Sequence, residues 1–392
     1  MRYRPAEPGD PERRYRGRGD SARRRRDRHD RRAGRATSAV GAVLVVVSVL
    51  LAACGATASP ARGAHATHGP HAAHRVQVAH APRRAHTGSS PRRVVPSSAR
   101  AAAHPEASWS GPHLVARGAD LAAVSCTRPD WCMALATDGA TYRDNGTSWT
   151  PAGDLAPAAG AGSGPVTGHH QLSCMQPDVC MAIDGGAATY RYDGTSWSSA
   201  VAVPGAEPLQ AIGCAPGGRC VTVDGVGDAF VTEGSGWSSA LNGWGAAASI
   251  SCVRSTFCAA AGVGLSVWNG ADWTKPAPID GTALLTGVSC ATATSCVAID
   301  DEGNAVVLDG TTWAAPRRVG GAERPVLTSV SCPAAGHCVV VDASGGALID
   351  EAGRWSRPTT LARHHALRAV SCPAVDACVA VDDAGDAFVL HA

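Results

Sequence analysis

Seven pairs of cysteines, each with five residues between its members, punctuate this chain: Cys126/Cys132, Cys174/Cys180, Cys214/Cys220, Cys252/Cys258, Cys290/Cys296, Cys332/Cys338 and Cys372/Cys378. Seven tryptophans keep the same interval but stand out of phase, at Trp109, Trp149, Trp197, Trp237, Trp273, Trp313 and Trp355. A period of roughly 40 residues marks an array of small units, none of which can bury its apolar surface alone. The array opens on a tryptophan and closes on a cysteine pair. The first unit therefore holds only the last piece of a repeat, and the last unit lacks that piece. A ring of blades sealed by its own two ends would show this permutation, and such closure leaves no long open sheet edge.

Aligned on their cysteines, the units read Ala-Val-Ser-Cys, five variable residues, Cys-Val-Ala-Val-Asp, a glycine turn, a short apolar run, then Asp-Gly-Thr-Ser-Trp or a variant. Runs of β-branched residues such as Ile299, Val340 and Val379, broken by Gly and Asp, predict four short strands per unit and no helix. In the sixth cysteine unit the first two strands are expected over Leu327 to Cys332 and Cys338 to Asp342, joined by Pro333 to His337. Cysteines at the base of such a hairpin can face each other at a separation that a disulfide tolerates. Spacing alone does not fix connectivity, but both members recur in every unit, which favours local pairing. A closed ring of this size is worth roughly 2 kcal/mol by loop-closure entropy. Structural zinc and redox dithiols use tighter Cys-x2-Cys spacing, so neither is expected. The acidic turns, such as Asp300-Asp301-Glu302-Gly303 and Asp382-Asp383-Ala384-Gly385, offer carboxylates to calcium. A plain Asp-Gly β-turn accounts for them as well, and also for Ala261-Gly262-Val263-Gly264, which has no acid.

Asp144-Asn145-Gly146-Thr147-Ser148-Trp149, Asp193-Gly194-Thr195-Ser196-Trp197, Asp309-Gly310-Thr311-Thr312-Trp313 and Glu351-Ala352-Gly353-Arg354-Trp355 resemble degenerate Asp-box turns, the third-to-fourth-strand hairpins of sialidase-like β-propellers. Most copies lack the leading Ser or Thr and are one residue short. The resemblance therefore implies the architecture and not the sialidase activity. It implies an all-β, seven-bladed β-propeller of four-stranded blades over 108–392. As in WD-repeat propellers, Ser108 to Val115 would supply the outermost strand of the blade formed by Leu367 to Leu390.

Residues 1–53 are a different kind of sequence. Arg23 to Arg26, Arg31, Arg32 and Arg35 precede an uncharged apolar run from Ala39 to Ala53. That run is short of the ~20 residues a membrane span needs and suits a signal-peptide core. Leu51-Ala52-Ala53-Cys54 resembles the bacterial lipobox, which implies cleavage before Cys54 and a lipid on its sulfur. The basic extension ahead of the core is long for a signal peptide. Export supplies a compartment in which disulfides persist. Abundant arginine with Lys275 as the only lysine suggests a GC-rich, actinobacterial source. The expected location is the outer face of the cell membrane.

Residues 54–107 are rich in Ala, Pro, His and Arg and poor in large apolar residues, the composition of a tether without a core. His65, His68, His71, His74, His80 and His86 could bind a transition metal loosely, which makes metal handling by the tether one alternative function. From Ser108 onward 14 basic residues face 26 acidic ones, a net of −12. An acidic domain argues against nucleic acid as a partner; the basic tether suits an anionic membrane or wall surface.

Catalytic residues in a repeat protein should be exceptions to the repeat. The exceptions include Trp131, His169, His170, His337, His364, His365, Trp244, Trp268, Tyr142, Tyr190 and Tyr192. Trp131, in a five-residue surface loop between two cysteines, and His169-His170 are the candidate ligand contacts. No nucleophile elbow, zinc helix or phosphate loop occurs in the domain, and no cofactor is expected. A carbohydrate-active enzyme of the sialidase or lyase kind, with a carboxylate pair at the mouth of the central channel, is the second alternative. The reading favoured is a monomeric, lipid-anchored binding or scaffold module for a cell-envelope protein or glycan.

Overall fold

The computed structural model describes residues 108–156, 169–233, 236–241, 247–277, 283–321 and 324–391. Cys54, the histidine-rich segment and Trp244 lie outside them. The described chain forms seven antiparallel sheets, six of them built from consecutive strands running outward from an inner strand. The inner strands are Leu121–Arg128, His170–Gln176, Leu209–Cys214, Ala247–Arg254, Leu285–Thr292, Leu327–Ala334 and Leu367–Ala374. Each touches the one before and the one after, and the first touches the seventh, so the sheets are the blades of a β-propeller.

The seventh blade closes the ring as the phase offset predicts. Ser108–Leu114 pairs antiparallel with Asp386–His391, setting Trp109 opposite Leu390 and Ser108 opposite His391. The fourth blade is the sparest. Beyond Leu265–Trp268 its outer strand is reduced to two bridges, Trp268 with Trp273 and Leu265 with Ala277. In blades five and six the outer strand is split, Thr312–Trp313 and Arg317–Arg318 in one, Arg354–Trp355 and Thr359–Thr360 in the other. Pro316 and Pro358 stand in the gaps. Proline has no N–H to offer, so these outermost strands are poor templates for pairing with another chain.

All seven disulfides are local: Cys126–Cys132, Cys174–Cys180, Cys214–Cys220, Cys252–Cys258, Cys290–Cys296, Cys332–Cys338 and Cys372–Cys378. The hairpin they staple is tighter than its sequence suggests. In the sixth blade the strands run through the cysteines to Ala334 and resume at His337, so the turn is two residues and not five. A β-bulge beside the first cysteine absorbs the difference.

The cysteines pair as expected, and what differs is the loop between them, which is largely strand. Cys132, Cys180, Cys220, Cys258, Cys296, Cys338 and Cys378 are between 0 and 3% exposed. Each lies within the second strand of its blade, and that strand is enclosed by neighbouring blades on both faces. Cys180 packs beside Leu172 and Tyr190, Cys258 beside Ile250 and Trp268, Cys296 beside Val288 and Leu308, and Cys378 beside Val370 and Leu390, while Cys132 sits in the closure cluster with Val124. These sulfurs are core atoms that hold the sheet, and none is presented to a ligand.

Seven apolar clusters fill the seven junctions between blades. One joins Met133 and Leu135 of the first blade to Leu172 and Ala182 of the second; another joins Leu121 and Val124 to Val381 and Ala387 across the closure. The depth of the second strands explains why Trp131–Ala136 and Phe257–Gly262 are buried at every position and read as unbroken apolar runs, not as alternation. The recurring tryptophans cap the junctions from outside, each against the preceding blade: Trp197 Nε1 donates to Thr141 Oγ1 at 2.8 Å, and Trp237 Nε1 donates to Thr189 Oγ1 at 3.1 Å.

Near the axis the blades are tied by hydroxyls. The serine before the first cysteine of one blade accepts a hydrogen bond from the cysteine N–H of the next. Ser125 serves Cys174, Ser173 serves Cys214, Ser251 serves Cys290, Ser289 serves Cys332, Ser331 serves Cys372, and Ser371 serves Cys126 across the closure, all at 2.9 to 3.0 Å. The seventh junction has Gly213 in place of serine. A Cβ there would stand 2.8 Å from Ile250 Cγ2 and 3.0 Å from Ile250 O, so this junction is too close for a side chain.

Candidate functional site

The connections between second and third strands, and the residues that lead into the inner strands, share one face of the ring. Backbone bonds stitch them together: Gly225 N to Pro208 O at 2.9 Å, Asp301 N to Leu284 O at 3.1 Å, Ala343 N to Val326 O at 3.0 Å, and Asp383 N to Ala366 O at 3.2 Å. The buried aspartates of these turns face inward. Asp342 Oδ1 accepts from Ser344 N, Ser344 Oγ and Gly346 N. Asp300 Oδ1 accepts from Glu302 N and Asn304 N, and Asp224 Oδ1 from Val226 N and Asp228 N. Their lone pairs hold the turn in shape, the arrangement of an Asx turn. Among the described residues no three His, Cys, Asp or Glu side chains gather into a metal-sized cluster.

Beside exposed Glu207, Asp301, Glu302 and Arg324, this face carries one large exposed apolar side chain on each of four consecutive blades. Val226 in the third, Val263 in the fourth, Leu284 in the fifth and Val326 in the sixth are 54, 57, 55 and 49% exposed. Single exposed apolar residues are common; here four stand one to a blade along one face. The remainder of the face is charged. Where the seventh blade meets the first, Arg368 Nε lies 3.5 Å from Asp120 Oδ1 and its other end 3.7 Å from Asp383 Oδ2, while His365 Nδ1 lies 3.0 Å from Asp383 Oδ1. His364, beside it, holds a left-handed φ of 68°.

The axis contains a cavity of about 210 Å³ lined by all seven inner strands. Its walls are small apolar and hydroxyl side chains with Gln171, and its ionisable member is Arg368. Gln171 reaches across the ring from the second blade: its Nε2 donates to Ala248 O of the fourth at 2.7 Å, and its Oε1 accepts from Ile212 N of the third at 3.3 Å. The second blade can supply this pin because its inner strand pairs Gln171 directly with Ile183, without the bulge found at the corresponding point of the other six.

The residues singled out from sequence fall in different places. Trp131 is a correction: it is 5% exposed and packs with Leu172, Tyr190 and Tyr192 in the core between the first two blades, so its ring is not offered to a ligand. It opens the second strand instead of sitting in the turn, and both faces of that strand are covered: Trp131 packs toward the second blade and Cys132 toward the seventh. His169 is exposed on the apolar-bearing face, while His170 is a second correction, buried opposite Asp184. Tyr190 is also buried, and its hydroxyl donates to Asp184 Oδ2 at 2.7 Å; burial first, and this hydrogen bond second, push its pKa far above the ordinary tyrosine value. The apolar run, Arg368 and Gln171 are not evident in the linear sequence. Their signal, exposure on one face and departure from the repeat in the inner strand, needs the blades to be placed side by side.

No protein-family model matches the chain, and no curated protein matches its sequence. Solved structures do. A structure described as YCF48 bound to D1 peptide is similar at a TM-score of 0.58 and 14% identity, over 72% of this chain and 97% of that one. YCF48 from Cyanidioschyzon merolae is similar at 0.56 and 16% identity, over 72% and 98%. U3-55K gives 0.58 and 11%, over 72% and 100%. At such identities the likeness is one of fold.

Proposed function

We propose that this chain is a lipid-anchored, extracytoplasmic propeller that binds a protein partner of the cell envelope through the face bearing Val226, Val263, Leu284 and Val326. The exposed apolar run on that face carries the reading. Val226 stands on the turn held by Asp224, and Leu284 and Val326 accept backbone hydrogen bonds from Asp301 and Ala343 of the neighbouring turns, so little order has to be imposed on binding. The peptide in the YCF48 structure is a precedent for the fold as a peptide binder. The enzyme alternative has less to draw on, because the described residues lining the axial cavity include no Asp or Glu, and Asp120 and Asp383 are engaged with its Arg368. The resemblance of Leu51-Ala52-Ala53-Cys54 to a lipobox and the seven disulfides of the domain support this location.

Crosslinking in intact membranes followed by mass spectrometry of the adducts tests the reading. A discrete protein partner is expected, lost in Val263→Asp/Leu284→Asp with the thermal midpoint unchanged. Adducts that survive this double substitution, or adducts to glycan alone, would overturn it. Cys54→Ser is expected to release the protein from the membrane fraction.

A further inference from the structure

Basic side chains are scarce and unevenly spread in this domain. Of the 14 from Ser108 onward, seven fall between residues 317 and 368. Three of these, Arg317, Arg318 and Arg357, are exposed along a groove of about 990 Å³ between the outer parts of the fifth and sixth blades. The groove is at the upper end of the ~300–1,000 Å³ typical of ligand clefts. Trp355, half-buried, forms part of its floor, and Val307, 37% exposed, part of its wall. The split outer strands create it: where Pro316 and Pro358 interrupt the edge, the arginines that follow or precede them flank the opening.

A second observation is independent of the arginines. Asp350 also lines the groove, is 5% exposed, and its Oδ1 is buried without a hydrogen-bond partner. Such an atom calls for a donor. Burial raises its pKa, opposed by the backbone N–H of Gly353, the charge of His337 and the backbone N–H of Arg354. An occupant that completes this groove must bring carboxylates to the arginines, an apolar surface to Trp355 and Val307, and an N–H or O–H to Asp350. A dense polyanion is disfavoured by Asp309 and Asp350, which stand among the arginines in the lining.

We propose that the groove between blades five and six binds an extended acidic peptide segment, its carboxylates on Arg317, Arg318 and Arg357, an apolar side chain over Trp355, and a backbone N–H to Asp350. This rests on the reading that the partner is a protein, and adds a second site with its own chemistry. Bidentate guanidinium contacts fix orientation as well as charge.

The test is selection of phage-displayed random dodecapeptides on the purified full chain. Selected sequences are expected to be enriched in Asp and Glu over the starting library. The tightest selected peptide, made synthetically and labelled, should bind at least tenfold more weakly to Arg317→Glu/Arg357→Glu. Arg317→Gln/Arg357→Gln should give a smaller loss, and Arg254→Glu, in another blade, none; thermal midpoints report that each variant is folded. No acidic enrichment on the wild-type chain, or affinity untouched by both double substitutions, overturns the proposal. Arginine-dependent binding of polygalacturonate without any acidic peptide also overturns it and assigns the groove to a carboxylated glycan. Either result leaves the apolar face and its crosslinked partner to stand or fall by Val263→Asp/Leu284→Asp.

Discussion

Ser331 Oγ accepts a hydrogen bond from the backbone N–H of Cys372 at 2.9 Å, joining the sixth blade to the seventh beside a disulfide. The same pairing at six of seven junctions makes a belt of hydroxyls around the axis. Replacing one serine leaves a part-buried N–H without its acceptor. Ser331→Ala is expected to cost about 1–3 kcal/mol, measured as a lower denaturant midpoint at unchanged slope.

Gly213→Ser makes the opposite point. It restores the residue found at that position in the other six units, yet it is expected to destabilise the protein, because the new Cβ meets both side chain and carbonyl of Ile250. Overpacking of this kind typically costs about 1–3 kcal/mol. A thermal midpoint equal to or above wild type would show that the junction can open.

Gln171→Ala removes the cross-axis pin and orphans Ile212 N–H and Ala248 O. A loss of about 1–3 kcal/mol is expected, with faster amide exchange at Ile212 as the local signature.

Asp193 shows how the tryptophan turns respond to acid. Its Oδ1 accepts from Thr195 N, Thr195 Oγ1 and Ser196 N, and these bonds, with Ser196 the largest contributor, hold its pKa down at about 2. The folded value lies below the unfolded one. The turn's contribution is therefore complete above the ordinary carboxylate range and fades as pH falls toward about 2. Carboxyl-carbon titration by NMR should give that midpoint, and Thr195→Ala should raise it. Asp193→Asn should keep the turn and abolish its acid sensitivity, since Asn145 accepts the same three bonds in the first blade.

Reduction tests the staples. Non-reducing peptide maps should return seven local pairs, and a reductant should lower the thermal midpoint. Each ring is worth about 2 kcal/mol by loop closure; an unchanged midpoint would mean that the hydroxyl belt and apolar junctions suffice. Because Cys132, Cys180, Cys258, Cys296 and Cys378 are buried, thiol labelling after brief reduction should lag far behind labelling in denaturant.

The architecture was legible because it is written as period and phase: cysteines and tryptophans recur at fixed intervals, and their offset implies that Trp109 belongs with Leu390. The serine before each cysteine is visible too, but its partner is a neighbouring blade's backbone, and an interblade bond leaves no mark within one unit. Trp131 departs from its expected surface loop because the bulge beside Cys126 lets the strands run past the cysteines and take Trp131 into the sheet. The groove of Arg317 and Arg357 could not be read at all, since its walls come from two units whose separation in space is not encoded in either.

Joining Ser108–Leu114 to Asp386–His391 has a temporal consequence. The earliest strand of the domain to be made has no partner until the final residues have been synthesised, and it must wait as a bare edge while six sheets assemble behind it. Long-range pairing of this sort is slow and aggregation-prone. A chain lacking Asp386–His391 would leave that edge uncovered.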